Sequence, residues 1–299
     1  MNGRFNRRQL IGGLVGAAAS GLAFGQTSPQ APQPGRPGGG PPVPPKPDRK
    51  QVLAWADIRF GQQHDSVTRA LVTIERLGRE TGLFDTYIRT DSQLITKQPI
   101  IGGPGGRPIT NKNLNYFDAI FFFGVREIEL TDAQKADLLS FVKDDGKGFV
   151  AAHTASTAFF SWPEFGELLG GRFDEHPWGI TDATVVIEDP AFPAMKHFKP
   201  SPVIKDEHYQ TKDFSRDKIR VLASLDPKSV DLTKPNVHQK EGDFPVAWVR
   251  NYGKGRVFYS TLGHAAEYWD TPQIQTMYLE AMKWALRLTD GDATPRPRT

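Results

Sequence analysis

Short apolar runs alternate with amphipathic stretches along residues 51–153, and few folds accommodate that alternation. Residues 51–56 (QVLAWA) read as a strand. Asp65 or Ser66 then caps a helix to about Thr81, with Val67, Ala70, Leu71, Ile74 and Leu77 on one face. Residues 84–89 form a second strand and residues 117–124 a third, buried one. Thr131 and Gln134 make a capping box for a helix to about Lys143, and residues 148–153 are a fourth strand. Strands this uniformly apolar are buried on both faces. Their alternation with helices predicts an α/β fold around a doubly wound, mostly parallel sheet.

The second half is less regular. Residues 183–188, 203–209, 220–225 and 244–252 read as strands. The turn Asn251-Tyr252-Gly253-Lys254-Gly255 leads into a strand at residues 256–260. Such a hairpin predicts an antiparallel extension of the sheet. Thr271-Pro272 starts a helix to about Leu288, with Pro at its first position. Residues 50–289 make one domain, and residues 290–299 are expected to fray.

Two segments before residue 50 cannot contribute to a core. Residues 1–25 have the basic start, apolar middle and small-residue end of a secretory signal, with cleavage expected at residues 23–25. Arg7-Arg8 directly before the apolar stretch points to twin-arginine export, against a general secretory signal or an uncleaved anchor. The mature protein is thus expected in the periplasm or secreted, with no stable membrane anchor after cleavage. Residues 26–49 are Pro/Gly-rich and read as a linker.

Export changes the charge argument. Of 37 basic residues, Arg4, Arg7 and Arg8 lie in the leader, which leaves 34 against 34 acidic ones. A balanced chain without a basic stripe gives no reason to expect nucleic acid as a partner. There is no cysteine, which removes disulfides, thiolate metal sites and a cysteine nucleophile together. Residues 101–108 (IGGPGGRP) lack the Gly-Lys-Ser/Thr ending of a phosphate loop and read as a flexible surface loop. No dinucleotide fingerprint follows the first strand, so neither a nicotinamide nor a flavin cofactor is expected.

The histidines carry the functional signal. His153 ends the fourth strand, His264 follows the strand at 256–260, and His64 follows the first strand. A parallel sheet gathers its ligand-binding loops at such strand ends. His176 and His208 directly follow the acid pairs Asp174-Glu175 and Asp206-Glu207. An acid–acid–His triplet can orient an imidazole, bind a metal or cap a turn. None of these spacings is the HExxH helix of metalloproteases. His197 and His238 read as surface positions.

GKGFVAAHTAS at 146–156, FGELLGGRFDEHPW at 165–178, KDEHYQ at 205–210 and PVAWVRNYGKGRVFYSTLGH at 245–264 resemble the ThuA-like, or trehalose-utilisation, family. The resemblance spans about residues 51–288. It implies a flavodoxin-like fold related to class I glutamine amidotransferases. Their nucleophile is a cysteine at the strand-to-helix elbow. His153 stands in that region here, so amidotransferase chemistry is excluded. The resemblance also implies a small-molecule carbohydrate as partner, a disaccharide or 3-keto-glycoside cleaved by elimination or hydrolysis. On that reading His153, His208 and Glu207 are the catalytic candidates. His153, His208 and His264 are the candidate ligands of a divalent metal such as Zn2+. His176, Trp178, Tyr209 and Trp269 are the sugar-binding candidates. Two other readings compete. A noncatalytic sugar-binding module needs aromatics and amides more than several histidines. A carboxylate-pair hydrolase needs two acids facing each other across a cleft, whereas the adjacent Asp206 and Glu207 diverge on a strand. Oligomeric state is not legible.

Overall fold

The computed structural model describes residues 46–59 and 64–297. The expected signal, and the linker up to residue 45, lie outside the described residues. The first half holds β1 (Lys50–Trp55), α1 (Ser66–Thr81), β2 (Phe84–Arg89), β3 (Ile100–Gly103), β4 (Arg107–Thr110), β5 (Ala119–Phe122), α2 (Asp132–Lys143) and β6 (Gly148–Ala152). It continues through α3 (Pro163–Leu169), β7 (Arg172–Glu175), β8 (Ile180–Ile187), β9 (Val203–Glu207), β10 (Gln210–Lys212) and β11 (Arg220–Leu225). Finally come β12 (Pro245–Tyr252), β13 (Gly255–Ser260) and α4 (Pro272–Ala285).

Among the described residues, nine strands form one sheet in the order β2-β1-β5-β6-β13-β12-β11-β8-β9. The pairs from β2 to β13 are parallel, and those from β13 to β9 antiparallel. The fold is therefore the expected doubly wound, mostly parallel sheet with an antiparallel extension. Both faces of the parallel half are covered. Val52, Ala54 and Phe121 pack with Ile74 of α1 and Tyr278 and Met282 of α4. Leu53, Trp55 and Phe122 pack with Phe141 of α2 and Phe165 of α3. Alternate residues of one strand thus enter opposite layers, as the period of two requires. Gly148 lets α4 approach β6: a Cβ there would lie 2.7 Å from the Ala285 carbonyl oxygen.

Local signals explain most boundaries. Thr131 and Gln134 form the reciprocal capping box at the start of α2. Helix α1 begins where expected, although Asp65 makes no side-chain cap. Gly253, with a φ of 58°, supplies the left-handed residue between β12 and β13.

One expectation is corrected, and one pairing is new. Residues 100–110 form the exposed β3–β4 hairpin, where a loop was expected. Strands β7 and β10 pair as a small second sheet that the sequence did not announce. The tail beyond residue 290 makes contacts with the domain over its described length. Asp292 pairs with Arg220 at 2.8 Å, and Arg296 donates to the Glu188 carbonyl at 2.8 Å. Ala293, between these contacts, is buried.

Candidate functional site

The carboxyl ends of β6 and β13 lie side by side, because these two strands pair in parallel. That register brings His153 and the loop bearing His264 to one edge of the sheet. His153 opens a tight turn with a φ of 43°, a left-handed conformation that few residues other than glycine adopt. Tyr259 holds the turn from beneath: its hydroxyl donates to the His153 carbonyl at 2.6 Å and lies 2.7 Å from Ser156 Oγ.

The His153 imidazole is fully buried. Its Nδ1 lies 2.6 Å from the Thr261 carbonyl oxygen. A carbonyl can only accept, so Nδ1 carries the hydrogen and Nε2 presents a lone pair. That Nε2 faces Tyr209 Oη at 2.8 Å, His264 Nδ1 at 3.3 Å and Glu207 Oε2 at 3.5 Å. Glu207 Oε2 is in turn 3.0 Å from His264 Nδ1.

Strand β9 reaches this group because β8 is shared. Thr184 and the residues before it pair with β9, and Val185–Ile187 pair with β11. The carboxyl end of β9 then docks on the loop after β13. Asp206, buried, accepts from the backbone N–H of Gly263 at 2.8 Å, His264 at 3.2 Å and Glu207 at 2.7 Å. The strand period divides the KDEHYQ segment. Glu207 and Tyr209 face His153, while His208 turns the other way and bonds the Ile204 carbonyl at 3.0 Å. His208 is therefore not among the grouped ligands, contrary to the sequence expectation.

His64 takes its place. Its ring stands edge-on to His153 and His264, with centroids 5.2 and 4.8 Å apart. His64, His153, Glu207 and His264 each offer a ligand atom within 4.8 Å of the others. Among the described residues, His64 Nδ1 is buried without a hydrogen-bond partner, a costly arrangement unless something else engages it. His208 Nδ1 is also unpartnered, but no such group of donors surrounds it.

The electrostatics set one anion, Glu207, beside imidazoles of differing basicity. Burial, then the charges of His153 and His264, lower the His64 pKa to about 4. Burial pushes the Glu207 carboxyl up, but the neighbouring His153 and His264 imidazoles prevail and hold it well below the usual carboxylate range. Glu207 in turn raises the His264 imidazole against the effect of burial. Burial lifts the Tyr209 phenol well above its ordinary value. A tetrahedral ion with bonds of about 2.0–2.1 Å places its ligands roughly 3.3 Å apart. The separations of 3.0, 3.3 and 3.5 Å among His153, His264 and Glu207 match that edge. Three imidazoles and one carboxylate suit Zn2+ or a neighbouring divalent ion. The Thr261 carbonyl gives His153 the second support that metal-bound histidines have.

A cavity of about 580 Å3 opens over the group, lined by His64, Glu207, Tyr209 and His264 and by Arg126, Phe160, Phe173, Asp174 and His176. Asp174 is oriented by Gln210 and by His238, whose Nδ1 lies 2.7 Å away. Of the expected sugar-binding residues, His176 and Tyr209 line this cavity. Trp178 and Trp269 do not: Trp178 bonds the Asp231 carbonyl and packs on Phe244, and Trp269 is core against Phe121 and Tyr278. His64 follows the first strand in sequence, but nothing local to it marks a ligand. Phe160, Phe173 and His238 carried no local signal at all.

Among curated proteins, none matches this sequence significantly. A solved ThuA-like protein from Bacteroides uniformis is 24% identical with a TM-score of 0.62, covering 84% of this chain and 95% of its own. Another, from Parabacteroides merdae, is 15% identical with a TM-score of 0.55, covering 80% and 90%. Likeness at these identities concerns the fold. The family model described as ThuA, trehalose utilisation, matches residues 51–285. With that match spanning most of its length, the chain belongs to the ThuA family.

Proposed function

We propose that this chain is a carbohydrate-processing enzyme that cleaves a disaccharide or 3-keto-glycoside at a divalent metal held by His64, His153, His264 and Glu207. The observation that carries the reading is the convergence of three imidazoles and one carboxylate beside a sugar-sized cavity. A metal bound there supplies Lewis-acid polarisation of a carbonyl or hydroxyl oxygen. The chain's own residues do the rest. Phe160 and Phe173 offer apolar walls to sugar C–H faces. A 3-keto group acidifies the neighbouring C2–H, and Asp174 faces the cavity as the base for that proton. The C2–H electrons form a C1=C2 double bond, the C1–O bond breaks, and the departing oxygen takes a proton from His176. Tyr209, kept protonated by burial, remains a hydrogen-bond donor to oxygen throughout.

The test is incubation of the purified chain with 3-keto-trehalose and with trehalose in D2O. The reading predicts release of glucose from the keto-sugar, a C1=C2 product without hydrogen at C2, and deuterium at C2 of the recovered keto-sugar. Absence of both exchange and cleavage, with metal supplied, contradicts it. The proposed setting is outside the cytoplasm, on the strength of residues 1–25. Changing Arg7-Arg8 to Lys-Lys should block export, and unchanged extracytoplasmic yield would defeat the twin-arginine route.

A further inference from the structure

A second cavity, of about 740 Å3, abuts the first. Phe160 lines both. Lys212 links them as well: its Nζ lies 5.7 Å from the Phe160 ring centroid and 3.8 Å from Asp174 Oδ1, on the first cavity's wall. The two hollows thus share the Phe160 ring as a common wall, with Lys212 beside it.

The charge of the second hollow is one-sided. Arg172, Lys212, Lys218 and Arg250 line it, against Glu167 and Asp213. Two of the cations are poorly compensated. Arg172 is 5% exposed, yet its guanidinium donates only to the carbonyls of Ala158, Phe159 and Trp162. Arg250 bonds the Glu167 carbonyl, and its Nε is buried without a partner. Among the described residues neither guanidinium has a carboxylate in ion-pairing range. A buried cation without a counter-charge is costly. An anion in the hollow offsets that cost.

We infer that the second cavity is a subsite for an anionic group, so that the ligand spanning Phe160 is an acidic glycoside with its carboxylate or phosphate beyond the reacting sugar. The inference rests on the carbohydrate reading of the first cavity. The anion subsite itself does not, and the test separates the two. Lactobionate, lactose 1-phosphate and neutral lactose are titrated calorimetrically into the full chain and into Lys218→Glu, at low and at high ionic strength. Crystals of the full chain are soaked in sulfate. Lys218 is exposed, so its replacement leaves the fold intact.

The inference predicts that at least one charged probe binds roughly three- to tenfold tighter than lactose at low salt, a modest factor because partly exposed cations are screened. High salt or Lys218→Glu abolishes the preference. A preference for lactobionate alone selects a carboxylate, and one for lactose 1-phosphate alone selects a phosphate. If no disaccharide binds but sulfate occupies the second cavity against Arg250, the anion subsite stands and the carbohydrate reading falls. Equal binding of charged and neutral probes overturns the inference, as does the absence of both disaccharide binding and sulfate from that cavity.

Discussion

Replacing His64 with Phe separates what this imidazole costs the fold from what it gives the centre. Among the described residues its Nδ1 has no hydrogen-bond partner, so the replacement breaks no bond with them. What it removes is a buried neutral imidazole. In the unfolded chain His64 takes up a proton near pH 6.5, but in the folded chain only near 4. Between those values the unfolded state binds more protons, so this residue's contribution lowers stability as pH falls through that window and is constant above it. At about 1.4 kcal/mol per pH unit the full shift from 6.5 to about 4 amounts to ~3.4 kcal/mol. Partial exposure of the ring reduces this to about 1–2 kcal/mol. His264 acts oppositely, since its raised pKa gives stability that is lost as pH rises through the folded value. Comparing wild type with the variant cancels most of that term. The assay is urea unfolding of metal-free protein at about pH 7.5 and about pH 4.5. His64→Phe should lose about 1–2 kcal/mol less than wild type on acidification, while its affinity for Zn2+ falls at least tenfold. An unchanged pH slope would refute the burial argument. Unchanged zinc affinity would remove His64 from the centre.

Three other substitutions probe the neighbouring residues. Glu207→Gln keeps the shape but removes the only carboxylate of the group; metal content and turnover should fall by roughly a hundredfold, and the His264 pKa, read by NMR titration, should drop. Asp206→Asn replaces an acceptor of three backbone N–H groups with one that turns an NH2 toward them; thermal unfolding should show a loss of about 2–4 kcal/mol. His208→Gln should leave metal content unchanged, because that ring faces Ile204 and not the centre; a metal-free variant that still folds would restore His208 as a ligand.

The parallel half of the fold was legible because each strand there is buried on both faces. Its runs, such as FVAA before His153, leave little choice of structure. Capping at Thr131 and the turn at Gly253 are equally local. The β7–β10 pair escaped notice because each strand has only three or four residues and a register shift. The site was legible only in part. Strand ends point to His153 and His264, but KDEHYQ alone does not show which alternate face meets the site, so His208 competes with the Glu207–Tyr209 face. Trp178 and Trp269 show the same difficulty, since a core ring and a sugar platform look alike in sequence. His238 meets Asp174 only through folding, across 64 residues of chain.

The central claim is that His64, His153, His264 and Glu207 share one divalent ion. Anomalous X-ray scattering from crystals of the full chain grown with Zn2+ tests it most directly. The account predicts one ion bonded to all four side chains at about 2.0–2.2 Å, with the His153 Nδ1–Thr261 hydrogen bond retained. An ion bound elsewhere, or none while Glu207 still pairs with His264 in saturating metal, would contradict it.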